Sequence, residues 1–227
     1  QNDPFLGKIL KKKSYQFFKV PDNIYHFNEC EFAYIKTNIS CVQNEQLIKS
    51  DFYLVTVMAV LSLKNINKND FFKISSNVKL ATLKDKETLK LLAYNSFNFD
   101  RFHVDFNISK CTASKIKSEW VGNFFNGERG DKCFVYKKNN KCLGFLLTIE
   151  KRNTAVIDLI AVDHKSRNKG VAKNLINYML HFYKKKINKV EVGTQINNKA
   201  SLDLYKSFNF EIKNYALIWH WHSQTHK

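Results

Sequence analysis

Glycine and proline are scarce in this chain, at seven and two of 227 residues. That rules out collagen-like, Pro-rich or Gly/Ser-rich linker character, and no fixed-period repeat is visible. Cysteine is sparse too. The five thiols are odd in number and none is spaced Cys-x-x-Cys, which excludes the paired framework of a small secreted domain and a zinc ribbon. No secretory signal pattern opens the sequence, so a reducing cytoplasm is the expected setting. The longest apolar run, Phe52 to Leu63, falls well short of the roughly 20 residues that span a bilayer, so no membrane insertion is expected. Gly-Lys-Ser/Thr is missing, as is a three-glycine dinucleotide fingerprint.

Acidic residues are outnumbered, with 20 Asp and Glu against 37 Lys and Arg for a net +17. Such an excess is either a lysine-rich solvated surface or a field that attracts phosphorylated ligands and nucleic acid. The apolar share is 44%, with 19 Phe and 10 Tyr, ample for a large core.

The periodicity predicts an α/β fold with a mixed sheet. Strands are expected over Phe32–Thr37 and Phe52–Leu63, joined by a helix that Ser40 and Gln43 begin as a capping box; Asn67–Asp70 breaks the second strand. A helix with Leu89, Leu92 and Ala93 on one face follows, then an irregular junction over 98–109. Another helix runs from about Thr112 with Ile116, Trp120 and Phe124 at helical spacing, ending at Gly127. The back half reads as a hairpin turning at Asn139-Asn140, a central strand ending at Val162, and a helix after Gly170 with Val171, Leu175, Tyr178 and Phe182 on one stripe. A strand over Lys189–Gln195, a helix from Asn198 and a closing strand to His222 complete it.

Gly170 stands out because glycine is so rare. A helix start presents unpaired, partly positive N–H groups, and an anion reaches them where no Cβ intervenes. Arg167 and Lys169 add charge beside it. Strand, then Ser166-Arg167-Asn168-Lys169-Gly170-Val171-Ala172, then helix is therefore a phosphate cradle or a helix start that happens to hold glycine.

Arg167, Gly170 and Ala172 resemble the Arg/Gln-x-x-Gly-x-Gly/Ala signature of the GCN5-related N-acetyltransferase (GNAT) superfamily. Asn198, Ser201 and Tyr205, followed by Asn209-Phe210, resemble that superfamily's Asn-x-x-Ala/Ser-x-x-x-Tyr element, with Asn209 in place of its glycine. The resemblance implies a GNAT fold with an amino-terminal half-GNAT-like β-α-β region, divided as 1–108 on the substrate side and 109–227 as the acyl-CoA-binding catalytic part. It implies acyl-coenzyme A, acetyl or short hydroxyacyl, as cosubstrate, with no metal. The amides of Lys169, Gly170, Val171 and Ala172 would hold its pyrophosphate, with Arg167 and Asn168 in the same cofactor site, the strand at Ile160 and Val162 would pair with its pantetheine arm, and Asn198 and Ser201 would complete the site.

Transfer of an acyl group from a thioester to an amine needs a neutral amine, a donor for the tetrahedral oxyanion and a proton for the departing thiolate. Tyr205, a phenol of ordinary pKa about 10, is the expected proton donor, although its spacing with Ser201, Leu204 and Phe208 also suits a core residue. By resemblance the oxyanion donor is a backbone N–H near Leu159 to Ala161. Asp158, His103 and Glu150 are the candidate bases, and each also reads as an ordinary polar residue.

The front of the chain resembles bacterial nucleotide-sugar N-acyltransferases of the dTDP-fucosamine acetyltransferase type, through Arg101-Phe102-His103-x-Asp105 and Trp120-x-x-Asn123 with Gly127; Phe106 replaces the usual proline. The implied acceptor is the amine of a dTDP-linked amino-deoxysugar used for lipopolysaccharide or capsule. Arg101 would face its diphosphate, the phenylalanines at 97, 99, 102 and 106 its base, and Asp105, Trp120 and Asn123 the sugar; Arg101 with Asp105 could equally be a structural ion pair. A protein or peptide N-acetyltransferase is the alternative. A basic nucleic-acid-binding module, suggested by KILKKKSYQFFK, leaves Gly170 unexplained, so no nucleic-acid partner is expected. His220 and His222 share a strand face but lack a nearby acidic partner in sequence, so the terminal HWHSQTH is not expected to bind metal. Oligomeric state stays open, a homodimer included.

Overall fold

The structure, a computed structural model, describes residues 1–21, 29–66 and 74–223. Asn67–Asp70 and the last residues of HWHSQTH lie outside them. Among the described residues six α-helices and nine strands follow in this order: α1 (Pro4–Leu10), β1 (Ser14–Phe17), β2 (Phe32–Asn38), α2 (Asn44–Lys49), β3 (Tyr53–Lys64), β4 (Val78–Leu80), α3 (Lys86–Ser96), α4 (Lys110–Phe125), β5 (Lys132–Lys138), β6 (Lys141–Lys151), β7 (Thr154–Val162), α5 (Val171–Tyr183), β8 (Lys189–Gln195), α6 (Lys199–Lys206) and β9 (Glu211–His222).

All strands join one sheet in the order β1-β2-β9-β3-β8-β7-β6-β5-β4. The β1/β2 and β7/β8 pairs are parallel and the rest antiparallel, so the expected mixed α/β sheet is present. Strand β9 inserts between β2 and β3, and β4 lies beyond β5 at the far edge. The 108/109 division therefore cuts the chain but not the sheet.

Two clusters cover β5–β7 from opposite sides. Helix α5 buries Val171, Leu175, Ile176, Met179, Leu180 and Tyr183 against Phe134, Leu146 and Ile157. The buried stripe thus runs through 175/176 and 179/180, while Tyr178 and Phe182, expected on it, are only partly buried at its margin. On the other side α3 and α4 bring Leu89, Ala93 and Val121 onto Phe145, Leu147, Leu159 and Ala161. Helix α4 begins at an N-cap, Ser109, whose hydroxyl accepts from the Thr112 amide, and Gly127 takes φ 76° just past its end.

Asn139 and Asn140 adopt φ 51° and 59°, the paired positive values a two-residue hairpin turn needs. The Ser40–Gln43 capping box does not form: α2 starts at Asn44, and its N-cap Gln43 makes no side-chain cap. Elements α1, β1 and β4, unforeseen in the sequence, pack at the sheet's periphery. Among the described residues no helix is long and apolar enough to cross a membrane.

Candidate active site

The site grows from an irregularity in β7. Leu147 pairs with Leu159 and Thr148 with Ile157, so Asp158 between them is a bulge without a ladder partner. A bulge reverses which face successive side chains occupy. Ala155 and Ile157 accordingly pack toward α5, whereas Leu159 and Ala161 pack toward α3 and α4. At the same place β7 leaves β8: their pairing covers only Thr154–Ile157 against Lys189–Val192. Beyond it, Ile160 and Val162 still pair with β6, but among the described residues their other edge pairs with no strand.

That open edge leads to the start of α5. Gly170 is its N-cap, with φ 78° and no side-chain cap. The amides of Asn168 through Lys173 donate to no protein acceptor among the described residues. A Cβ on Gly170 would meet nothing nearer than Asn174 Nδ2 at 3.7 Å. The space above it is open, so its bareness serves an approach from outside. Asn174 Nδ2 also bonds the Gly170 carbonyl at 2.9 Å. Arg167 braces the turn through the carbonyls of Ser96 (3.2 Å) and Val162 (3.5 Å). A run of free N–H groups at a helix start, flanked by Arg167, Lys169 and Lys173, suits a diphosphate. Gly144 permits the close packing behind it, because a Cβ there would lie 2.9 Å from both the Ala161 carbonyl and Val171 Cγ1.

Asn198 caps α6, its Oδ1 accepting from the Ser201 amide at 3.3 Å. Tyr205 has its ring buried against Phe210. Its hydroxyl has no hydrogen-bond partner among the described residues, and burial pushes its pKa up. Burial therefore keeps the phenol protonated, a state that can donate a proton but not accept one at the phenolate.

Asp158 is not a free base. Arg129 grips it with two bonds, Nε–Oδ2 2.8 Å and Nη2–Oδ1 2.7 Å. His103 is also committed: Nδ1 faces Asp100, and Nε2 faces the Ser114 hydroxyl at 3.2 Å. With 5% of its side chain exposed, it is poorly placed to meet a substrate amine. Burial raises the Asp100 pKa, but Lys117 and His103 outweigh that and bring it down to about 2. Glu150, the third candidate base, accepts from the Tyr183 hydroxyl at 3.0 Å, near the opposite end of β7.

The expected sugar-side residues divide. Phe102 is fully buried among Leu6, Phe32 and Ile116 and forms core, not a ligand surface. Asp105, 2% exposed, is likewise internal. It accepts from Tyr53 Oη (2.7 Å), the Asn107 amide (2.8 Å), His220 Nδ1 (2.6 Å) and His222 Nε2 (3.1 Å). The histidine pair thus does have an acidic partner, 115 residues away in sequence. Donors on the outer nitrogens settle its chemistry: Arg101 Nη1 lies 3.3 Å from His220 Nε2, and Lys12 Nζ lies 3.3 Å from His222 Nδ1. Those nitrogens must accept, so the inner ones carry protons toward Asp105.

Arg101 lies over Tyr34 at 3.8 Å and Phe102 at 4.3 Å. Trp120 carries the Lys117 ammonium and the Arg129 guanidinium, each 4.2 Å from its ring centroid. The Asn123 carbonyl accepts the amides of Glu128 and Arg129. Phe106, by contrast, is 82% exposed and packs on Tyr53, centroids 5.0 Å apart. Arg129 and Lys117 escaped the sequence reading. Arg129 follows an ordinary helix stop, and Lys117 reads as one lysine among many.

A bulged strand that parts from its parallel neighbour, followed by a helix with bare N-terminal amides, makes a cleft that can take an extended ligand ending in a diphosphate. Residues 98–210 match the acetyltransferase (GNAT) family, and the chain belongs to that family. It is 29% identical to the spore coat polysaccharide biosynthesis protein SpsD of Bacillus subtilis over 60% of this chain, spanning about half (47%) of that relative. It is 27% identical to the uncharacterized N-acetyltransferase MJ1207 of Methanocaldococcus jannaschii over 82% of this chain and 84% of that one. The fold matches a tandem GNAT protein from the clavulanic acid biosynthesis pathway with TM-score 0.60 at 8% identity, over 89% of this chain and 67% of that one.

Proposed function

We propose that this protein transfers an acyl group from acyl-coenzyme A to the amine of a nucleotide-linked amino sugar, dTDP-linked in the first instance, for cell-surface polysaccharide. The observation that carries the donor half is the run of unbonded amides from Asn168 to Lys173 beside the open edge of β7. The diphosphate binds those amides, and the pantetheine arm adds to the Ile160–Val162 edge as an extra strand would. The amine attacks the thioester carbonyl directly, and the Tyr205 hydroxyl gives its proton to the leaving sulfur. With Asp158 and His103 engaged, the ammonium proton of the acceptor leaves to water.

The acceptor half is supported by the similarity to SpsD, whose name assigns it to spore coat polysaccharide biosynthesis. The exposed Phe106 on Tyr53 is a flat apolar platform suited to a pyrimidine base. Reaction takes place in the cytoplasm, where the nucleotide sugar and coenzyme A are both available. A thiol-release screen tests the proposal, offering acetyl- and hydroxybutyryl-coenzyme A with several dTDP-aminosugars, spermidine and peptides. Release with a dTDP-aminosugar is expected; release with peptides alone would replace the acceptor assignment.

A further inference from the structure

The pair of Arg129 and Asp158 is held from both ends. Arg129 leaves the C-terminal end of α4 with its amide on the Asn123 carbonyl at 3.2 Å, and its guanidinium lies on Trp120. Asp158 is the unpaired bulge residue of β7, the first position after the last pair with β8. A bidentate guanidinium–carboxylate contact fixes orientation as well as distance. Rotation of the Asp158 side chain is therefore tied to a helix end, and the backbone that follows, Leu159 to Ala161, starts from a fixed angle. Two side chains of α4 flank the pair: the Trp120 ring under Arg129 and Lys117, which feels the charges of both Asp158 and Arg129.

We infer that Arg129 is a positioning residue that clamps the β7 bulge, so that the bulge amides point at the thioester carbonyl of bound acyl-coenzyme A. Arg129 does not touch the reacting atoms; it acts through Asp158. The inference rests on the acyl-transfer reading but not on the identity of the acceptor. A small angular error at an oxyanion donor is enough to lose most of its effect.

The test needs no acceptor. Acetyl-coenzyme A labelled with carbon-13 at the carbonyl is bound to the protein, and its infrared stretch is compared with the free ligand. Affinity for coenzyme A, which lacks the acyl group, is measured in parallel by calorimetry. Wild type is expected to lower the stretch frequency. R129M and D158N should both return it to the free value while binding coenzyme A within about threefold of wild type. R129K, which keeps the charge without the two-pronged grip, should not restore the shift. A wild-type frequency in R129M or in D158N would overturn the inference, as would an unshifted wild type that binds coenzyme A. Loss of coenzyme A affinity in both variants would make the pair a folding element and overturn it equally. A wild type that binds no coenzyme A would remove the donor reading as well.

Discussion

Arg101 and Asp105 are joined through His220 instead of touching: its Nε2 lies 3.3 Å from Arg101 Nη1 and its Nδ1 2.6 Å from Asp105 Oδ2. Both belong to the junction between α3 and α4, whereas His220 comes from β9. Burial and the Arg101 cation keep the ring neutral against the pull of the Asp105 carboxylate. Burial lowers the His220 pKa, Asp105 only partly opposes this, and the result is about 4.

This arrangement predicts an acid-sensitive fold. The folded pKa of His220 lies below the unfolded value of about 6.5, so the unfolded chain takes up the proton first. Stability should be fully present above about pH 6.5 and fall as pH drops toward 4, by about 3 kcal/mol at most. Denaturant titrations across that range should show the slope in wild type and a flatter one in H220N. Asp105→Asn, which leaves two histidines and Tyr53 facing an amide, should cost about 2–4 kcal/mol at neutral pH.

Gly170→Ala should weaken coenzyme A binding about tenfold or more, since the added methyl enters the open space above the bare amides and φ 78° disfavours any Cβ, by about 1 kcal/mol. Pantetheine, which lacks the diphosphate, should bind G170A much as it binds wild type. Equal weakening of both ligands in calorimetry would place the diphosphate elsewhere.

Tyr205→Phe should reduce kcat about 100-fold, within the usual range for a lost proton donor, with coenzyme A affinity nearly unchanged. The ring's packing on Phe210 survives the substitution, so the melting temperature should hardly move. An unaltered kcat would leave Tyr205 a core residue only.

Gly144→Ala places a methyl 2.9 Å from the Ala161 carbonyl and from Val171 Cγ1. The expected cost is about 1–3 kcal/mol, and because the displaced atoms belong to β7 and the start of α5, coenzyme A binding should fall with stability. A variant as stable as wild type would mean that this corner can relax.

Much of this was readable from the chain. Helix α5, its glycine and the strand before it show in sequence because one local backbone requirement selects a rare residue. The Asn139-Asn140 turn is legible for the same reason. Short peripheral elements are not: β4 has three residues, too few to display a period. The α5 stripe was misplaced because Tyr178 and Phe182 are as apolar as the residues that bury fully. The polar wiring was hidden most deeply. Asp105 and His220 are 115 residues apart, and only the insertion of β9 between β2 and β3 brings them together. The sugar-side pattern at Trp120 and Asn123 was visible, but that these residues seat Arg129 was not.

The short seam between β7 and β8 has a mechanical corollary. A nine-stranded sheet whose halves share so brief a length of parallel pairing behaves as two plates meeting at a cleft. A cofactor arm laid along the exposed rim would act as mortar, supplying the hydrogen bonds the protein leaves out. Amide exchange along the far end of β7 should therefore slow when the thioester carrier is present, before any acceptor arrives.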